Sequence, residues 1–281
     1  MSKAGSIGQT RVGPGLWVLV ILVMIISLIP FYWLMNTSLK VGSGLATADL
    51  WPRNPSIENY FVVLSNPMFL HAVANSFIVG IVTTALALLF GASAAYALAR
   101  LPLPRKALTL ALVTAVTTFP VITIVAPIFN VWSKIGLYDT LPGLIIPKLT
   151  FALPLAIFTL TSFFREIPME LEEAAAIDGS GPVGTFVRVI LPLATPGIAT
   201  TAILVFISVW NEFLLAVALT STPAARTVPV AIAFFSGPNE FEIPVGLISA
   251  ASVICTLPLL IVVLIFQRRI VAGLTAGAVK G

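Results

Sequence analysis

Residues 170–192, "ELEEAAAIDGSGPVGTFVRVILP", contain the densest cluster of acidic residues in the chain, and long apolar runs lie on both sides of it. Charged side chains are costly to place in hydrocarbon. We therefore expect this segment to lie in water, where it can meet another molecule, while the apolar runs hold it in position. The length and hydrophobicity of those apolar runs decide the fold that surrounds the acidic segment.

The composition of the chain is that of an integral membrane protein. Of its 281 residues, 58% are hydrophobic and 9% are charged, whereas a soluble domain has about 25% charged residues. Apolar runs that are long enough to cross a bilayer as helices, at roughly 20 residues each, predict an all-α fold. The net charge of +4 then reports topology in the membrane and does not indicate nucleic-acid binding.

Six apolar stretches predict six transmembrane helices within one domain over residues 15–267. Several of them contain proline, which spanning helices tolerate when neighbouring groups satisfy the freed carbonyls. The predicted spans lie near residues 15–35, 71–98, 107–131, 142–164, 196–220 and 245–267.

Lysine and arginine residues predict the orientation of these spans. They are more frequent in the segments that lie inside when the N-terminus is cytoplasmic, and basic residues concentrate on that side of a membrane. Both termini are therefore expected in the cytoplasm, as tails over residues 1–14 and 268–281. The acidic segment falls in a cytoplasmic loop over residues 165–195, and the longer outer loops cover residues 36–70 and 221–244.

The chain lacks the sequence features of several kinds of active site. It contains no GxxxxGK[ST] loop for nucleotide phosphates. His71 and Cys255 are the only residues of their types, so neither a His/Cys metal cluster nor an intrachain disulfide can form. We therefore expect no enzymatic activity, no metal site and no cofactor on this chain. Energy for any transport work must come from an ion gradient or from a partner.

The first part of the acidic segment is predicted to be a short helix. Pro168 suits the first turn, where its missing N–H would be unpaired in any case, and Glu170 follows where the helix dipole favours negative charge. The alanines at 174–176 have high helix propensity. Gly179 provides the stop, because glycine adopts a left-handed conformation at the lowest cost.

Two faces are predicted for this helix. A narrow apolar stripe is formed by Ile167, Leu171, Ala174 and Ala175, and a separate acidic stripe by Glu166, Glu170 and Glu173. Alanines let another backbone approach closely and acids can meet arginines, so one interpretation is a knob that fits a groove with a basic rim. The other interpretation is a solvated charged face on a helix that lies along the membrane surface.

The spacing of residues along this loop resembles a known signature. Its elements are Glu173-Ala174-Ala175, Gly179 and Val189-x-Leu191-Pro192. They resemble the EAA signature of ATP-binding-cassette importer permeases, with valine where isoleucine is usual. The resemblance covers nearly the whole chain, through "AYALAR" at 95–100, "PLAIFTLTSFFREIP" at 154–168 and "WNEF" at 210–213. It points to the carbohydrate-uptake branch, to its maltose-type second permease, and most closely to permeases of trehalose-type importers.

This resemblance implies a six-span type I importer permease of the cell membrane that works with other subunits. The implied partners are a second homologous permease, two P-loop ATPase subunits that hold ATP and Mg²⁺, and an extracytoplasmic sugar-binding protein. The short acidic helix would be a coupling helix seated in one ATPase, and the substrate a sugar such as trehalose or maltose. The residues implied in ATPase coupling are Glu170, Glu173, Ala174, Ala175, Asp178, Gly179, Leu191 and Pro192.

An acidic residue inside the predicted fifth span requires its own explanation. Glu212 follows Asn211 in "VWNEFLL", and a charge at the centre of a spanning helix costs about 2.5–3.5 kcal/mol. Asn211 and Glu212 either line the translocation pathway or hold the partner permease through polar contacts, and both interpretations stay open. An alternative of another class is an ion-coupled secondary transporter that uses Glu212 as its proton or cation site.

Overall fold

The structure is a computed structural model that describes residues 13–235 and 244–276, with side chains as far as Gln267. All regular structure in these ranges is helical, which confirms the predicted all-α class. Three predicted segments lie outside the described residues: the N-terminal tail up to residue 12, part of an outer loop at 236–243, and the end of the C-terminal tail from residue 277.

The helices are numbered here in chain order. They are α1 (Pro14–Ser38), α2 (Glu58–Leu64), α3 (Pro67–Arg100), α4 (Lys106–Thr118), α5 (Val121–Ile135), α6 (Leu141–Glu166), α7 (Glu170–Ile177), α8 (Pro182–Thr185), α9 (Leu191–Leu193), α10 (Thr195–Asn211), α11 (Leu214–Leu219), α12 (Val228–Ala233) and α13 (Val245–Ala276). A short 3₁₀ segment, Gly42–Ala46, precedes α2, and a π-helical turn, Phe186–Ile190, joins α8 to α9.

Four of the described helices are long and apolar enough to cross a membrane. They are α1, α3, α6 and the Val245–Gln267 part of α13. Two bent pairs, α4 with α5 and the segment Pro182–Leu193 with α10, bring the number of candidate spans to as many as six. The cytoplasmic position expected for both termini stays a prediction.

The predicted third span, 107–131, contains a sharp bend. The axes of α4 and α5 meet at 84°, and the break falls at Phe119 and Pro120. Proline disfavours the helical conformation of the residue before it, and Phe119 is extended, with φ −69° and ψ 127°. Two other prolines, Pro147 and Pro154, lie inside the continuous helix α6.

The chain divides into two compact units, and the larger one contains α3 to α12 with most of α13. Its core is built on α3, which packs against α6 and α10. Small residues allow this close approach in a membrane bundle. A Cβ on Gly91 of α3 would lie only 2.9 Å from the Cβ of Ala156 on α6, and one on Gly80 would lie 2.7 Å from the Phe206 ring on α10.

The smaller unit contains α1, α2 and the first residues of α13. The apolar side chains of α1 are exposed on every side of the helix, which is typical of a helix that meets lipid or another membrane protein. Buried polar groups tie the following loop to its end. The Asn59 amide donates to the carbonyls of Ser38 and Lys40, and the Lys40 ammonium donates to the carbonyls of Thr47 and Asp49.

Candidate functional site

The acidic segment begins with the short helix α7, as the sequence predicts. The amides of Glu172 and Glu173 donate to the Met169 carbonyl, at 2.9 and 3.1 Å, and so form the first turn. Glu170, Glu172 and Glu173 all lie in this turn, where the unpaired N–H groups favour negative charge. Pro168, which the sequence placed in the first turn, precedes the helix, which begins at Glu170 with Met169 as its N-cap.

The C-terminus of α7 is closed by a Schellman motif. Gly179 has φ +80°, and its amide donates to the Ala176 carbonyl at 3.1 Å, while the Ser180 amide donates to the Ala175 carbonyl at 2.9 Å. These two bonds are the 5→2 and 6→1 pair that defines the motif. The predicted stop is therefore present, with Asp178 as the exposed C-cap residue before the left-handed glycine.

One face of α7 is open to a partner. Glu170, Glu173, Ala174 and Ile177 follow the spacing i, i+3, i+4, i+7, which places them on one side of a helix, and all four are exposed. We call these four residues the outer face of α7. Ile177 is 87% exposed, which is unusual for a large aliphatic side chain.

The predicted apolar stripe differs from the observed faces. Ala175 is buried, whereas Leu171 and Ala174 are exposed, so these residues do not share one contact surface. Neither predicted stripe includes Ile177, because the apolar stripe ends at Ala175 and the acidic stripe at Glu173. An isoleucine that falls at i+7 from Glu170 was the available signal.

Glu172 faces the other way and forms a buried ion pair. Its Oε1 lies 2.8 Å from Nε of Arg100, the last residue of α3, and the two side chains are 13% and 7% exposed. Its Oε2 accepts a hydrogen bond from the Tyr96 hydroxyl at 3.1 Å. Both carboxylate oxygens thus have partners on α3, which the sequence interpretation did not foresee.

Arg100 makes two further contacts with the segment that leads into α7. Its Nη2 donates to the Ile167 carbonyl, and its Nη1 lies 3.1 Å from the Met169 sulfur. Ile167 is the C-cap of α6 and Met169 is the N-cap of α7. A single guanidinium therefore joins the C-terminal ends of α3 and α6 to the start of α7.

Leu191 and Pro192 lie apart from the outer face of α7. Leu191 is half-buried and packs against the buried cluster that includes Tyr96 and Phe164, whereas Pro192 is exposed. Proline has no N–H and clashes with the carbonyl four residues earlier in an α-helix. The wider π turn before it, in which the Leu191 amide donates to the Phe186 carbonyl, accommodates this residue. Leu191 and Pro192 therefore lie in α9, immediately before the chain enters α10.

Glu212 and Asn211 lie at a break between α10 and α11, not within a continuous helix. The Glu212 Oε2 lies 3.2 Å from the Lys148 ammonium of α6, and its Oε1 accepts from the Leu215 amide at 2.7 Å. The Asn211 amide donates to the carbonyl of Ile207. The chain itself thus supplies a cation for Glu212, and Asn211 makes a separate hydrogen bond within α10.

Lys148 also satisfies the backbone at this break. Its ammonium donates to the carbonyls of Val209 and Glu212, at 3.3 and 3.2 Å. The carbonyl end of a helix favours a cation and the amide end of the next favours an anion, so the pair has the correct polarity for both ends of the break. Within residues 13–235 and 244–276, no group of three or more His, Cys, Asp or Glu residues could hold a metal ion.

The family model described as "Binding-protein-dependent transport system inner membrane component" matches residues 87–275 of the chain. The trehalose transport system permease protein SugB of Mycobacterium tuberculosis (strain CDC 1551 / Oshkosh) is 51% identical over 255 residues, which are 91% of this chain and 93% of that protein. The trehalose/maltose transport system permease protein MalG of Thermococcus litoralis is 41% identical over 264 residues, 93% of this chain and 94% of that protein.

Among solved structures, a chain from the crystal structure of a bacterial ABC transporter involved in the import of the acidic polysaccharide alginate superimposes with a TM-score of 0.73. The match covers 92% of this chain and 99% of that chain, at 23% sequence identity. At this sequence identity, the structural similarity shows that the two chains share a fold.

Proposed function

Because this chain belongs to the family of binding-protein-dependent transport system inner membrane components, we propose that it is the permease subunit of an ATP-driven importer for a sugar. Its place is the inner membrane, which it crosses several times. It moves the sugar from an extracytoplasmic binding protein to the cytoplasm by alternating access, and the ATPase activity belongs to partner subunits.

The substrate class follows from the relatives. The 51% identical relative is named a trehalose permease and the 41% identical one a trehalose/maltose permease, each over more than nine-tenths of this chain. A disaccharide is therefore the first substrate to test, with trehalose ahead of maltose.

The proposed coupling role rests on the exposure of the outer face of α7. Glu170 and Glu173 present two carboxylates beside Ala174, whose small side chain lets a partner approach, and Ile177 supplies an apolar side chain that a partner can cover. A groove with a basic rim and an apolar floor is complementary to this face. We assign that groove to one of two P-loop ATPases, which hold ATP and Mg²⁺.

A second permease is the proposed partner within the membrane. The apolar side chains of α1 are exposed on all sides, and in a heterodimer part of this surface would pack against the other permease, with lipid on the rest. The ATPases would draw α7 with them as they close, and the spans would change from inward-facing to outward-facing.

The ion-coupled alternative is disfavoured by the surroundings of Glu212. A proton or cation site needs a carboxylate that can exchange its partner, whereas this one is paired with Lys148 and caps the Leu215 amide. Family membership also favours the ATP-driven mechanism.

Affinity purification of the chain from its native membrane in a mild detergent tests the proposed assembly. Mass spectrometry should identify a P-loop ATPase and a second permease in the purified material. Glu173→Lys reverses one charge on the outer face of α7, so it should lower the recovered ATPase and leave the second permease unchanged. Glu58→Lys, an exposed acid on α2, is the matched control. Purification of the wild-type chain without an ATPase would contradict the proposal.

A further inference from the structure

The acidic residues of α7 have two different orientations. Glu170 and Glu173 lie on the outer face, whereas the side chain of Glu172 is 13% exposed and faces α3. A carboxylate that leaves water must recover its solvation from hydrogen bonds and opposite charge. Both oxygens of Glu172 do so, through Arg100 and Tyr96.

The three side chains form a connection between a surface helix and a central spanning helix. Tyr96 and Arg100 are both on the last turns of α3, and Arg100 also reaches Ile167 and Met169 on the segment before α7. The Tyr96–Glu172 and Arg100–Ile167 contacts are charge-assisted hydrogen bonds, which are about twice as strong as neutral ones, and the Arg100–Glu172 contact is an ion pair. We call Tyr96, Arg100 and Glu172 the α3 brace.

Aromatic contacts extend the brace into the bundle. The Tyr96 ring lies 4.7 Å from the Phe186 ring of the π turn and 6.2 Å, edge to face, from the Phe164 ring of α6. Such aromatic pairs stabilise the structure beyond the burial of their surface. The end of α3 is thus fixed to elements on both sides of α7.

The segments on either side of α7 are weaker connections. Pro168 and Met169 before the helix are exposed, and Gly179 after it is exposed with open space around its Cα. Without the brace, a force on α7 could be absorbed by rotation in these short segments. With it, α7 and the cytoplasmic-loop end of α3 must move together.

We propose that Tyr96, Arg100 and Glu172 are positioning residues that transmit movement of α7 to α3, and through α3 to the packed core formed with α6 and α10. The inference rests on the proposed function, because it takes α7 as the helix that the ATPase moves. In this proposal Glu172 makes its contacts within the permease, whereas Glu170 and Glu173 contact the partner ATPase.

Hydrogen exchange in the assembled complex tests the brace without reference to transport. Arg100→Met and Glu172→Gln should each make the backbone amides of α7 exchange about tenfold faster, because the contacts that hold the helix closed are lost. Arg165→Met is the matched control, since Arg165 is exposed at the end of α6. Unchanged exchange in both brace variants would overturn the inference.

The amount of sugar transported per ATP hydrolysed tests whether the brace transmits movement of α7 to the spanning helices. In proteoliposomes that contain the complete complex, each brace variant should transport at least about fivefold less sugar per ATP than the wild type. The Arg165→Met control should transport as much sugar per ATP as the wild type. The double variant Arg100→Met/Glu172→Gln should be as abundant in the membrane as the wild type, because no unpaired buried charge is left, yet its transport per ATP should be as low as in the single variants.

Wild-type transport per ATP in the double variant would overturn the brace as a coupling device. A wild-type complex that takes up no sugar with ATP would instead contradict the proposed function, and the exchange experiment would still decide whether the brace holds α7.

Discussion

Lys148 and Glu212 show how single residues stabilise a broken helix among apolar surroundings. The Lys148 side chain is 1% exposed and that of Glu212 is 22% exposed, so each charge depends on the other for compensation. Together they also satisfy two carbonyls and one amide at the break between α10 and α11. The sequence left open whether Glu212 lines the pathway or contacts the partner permease, and the packing of α6 against α10 shows that Lys148 of the same chain pairs with it.

Lys148→Met is expected to destabilise the protein strongly. It leaves the Glu212 carboxylate without its cation, and removal of one member of a buried pair costs about 3–5 kcal/mol. Thermal unfolding in detergent should show a clear fall in Tm. The double variant Lys148→Met/Glu212→Gln should recover part of the loss. Lys134→Met, at an exposed position, serves as the control, and a Tm equal to that control would contradict the role of the pair.

Asp139 is a second residue whose charge stabilises local structure, in the connection between α5 and α6. Its carboxylate accepts from the Thr222 hydroxyl at 2.6 Å and from the amides of Ser221 and Thr222. Burial raises the pKa of Asp139, but these hydrogen bonds outweigh it and hold the pKa below the ordinary value of 3.8. Asp139 also has φ +57°, which asparagine tolerates as well.

Asp139→Asn should therefore lower stability in a pH-dependent manner. Since the folded-state pKa is depressed, the carboxylate contributes its full stabilisation above the unfolded-state pKa and loses it as the pH falls through the folded-state value. The difference in Tm between the wild type and Asp139→Asn should be largest near neutral pH and should shrink below about pH 4. A difference that stays constant across this range would show that the ionised form has no special role.

At the scale of elements, the sequence predicted α7 well because its signals are local. Helix propensity, the first-turn acids and Gly179 act within a few residues. The orientation of Glu172 depends on Arg100, a residue far away in the chain, and alanines on both sides of α7 gave no indication of which face is buried. The bend at Phe119 and Pro120 was hidden for a similar reason: spanning helices can accept a proline or break at it, and neighbouring helices decide which occurs.

Substitution of Gly179 tests the Schellman motif as a unit. Space around its Cα is open, so Gly179→Ala should cost about 1–2 kcal/mol through backbone strain alone. Gly179→Pro also removes the hydrogen bond to Ala176 and requires φ near −65°, so it should abolish uptake while the protein stays in the membrane. Gly181→Ala is the matched control, because Gly181 has φ −74° and equally open space. Normal uptake by Gly179→Pro would contradict the role of this turn.

At the scale of the whole molecule, the resemblance to carbohydrate-uptake permeases is confirmed by the family match and by relatives that cover more than nine-tenths of the chain. Composition predicted an all-helical membrane protein, and the described helices agree with that class. The arrangement of subunits has no direct signal in one chain, although the exposed α1 and the outer face of α7 are surfaces that partners would cover.

Uptake of labelled trehalose into proteoliposomes tests the central claim most directly. The purified complex would be reconstituted with its binding protein, and ATP and Mg²⁺ would be supplied on the side that α7 faces. The account predicts accumulation that requires both ATP and the binding protein and that persists when a proton ionophore is added. Uptake without ATP that the ionophore abolishes would contradict an ATP-driven importer and would make Glu212 the centre of an ion-coupled mechanism.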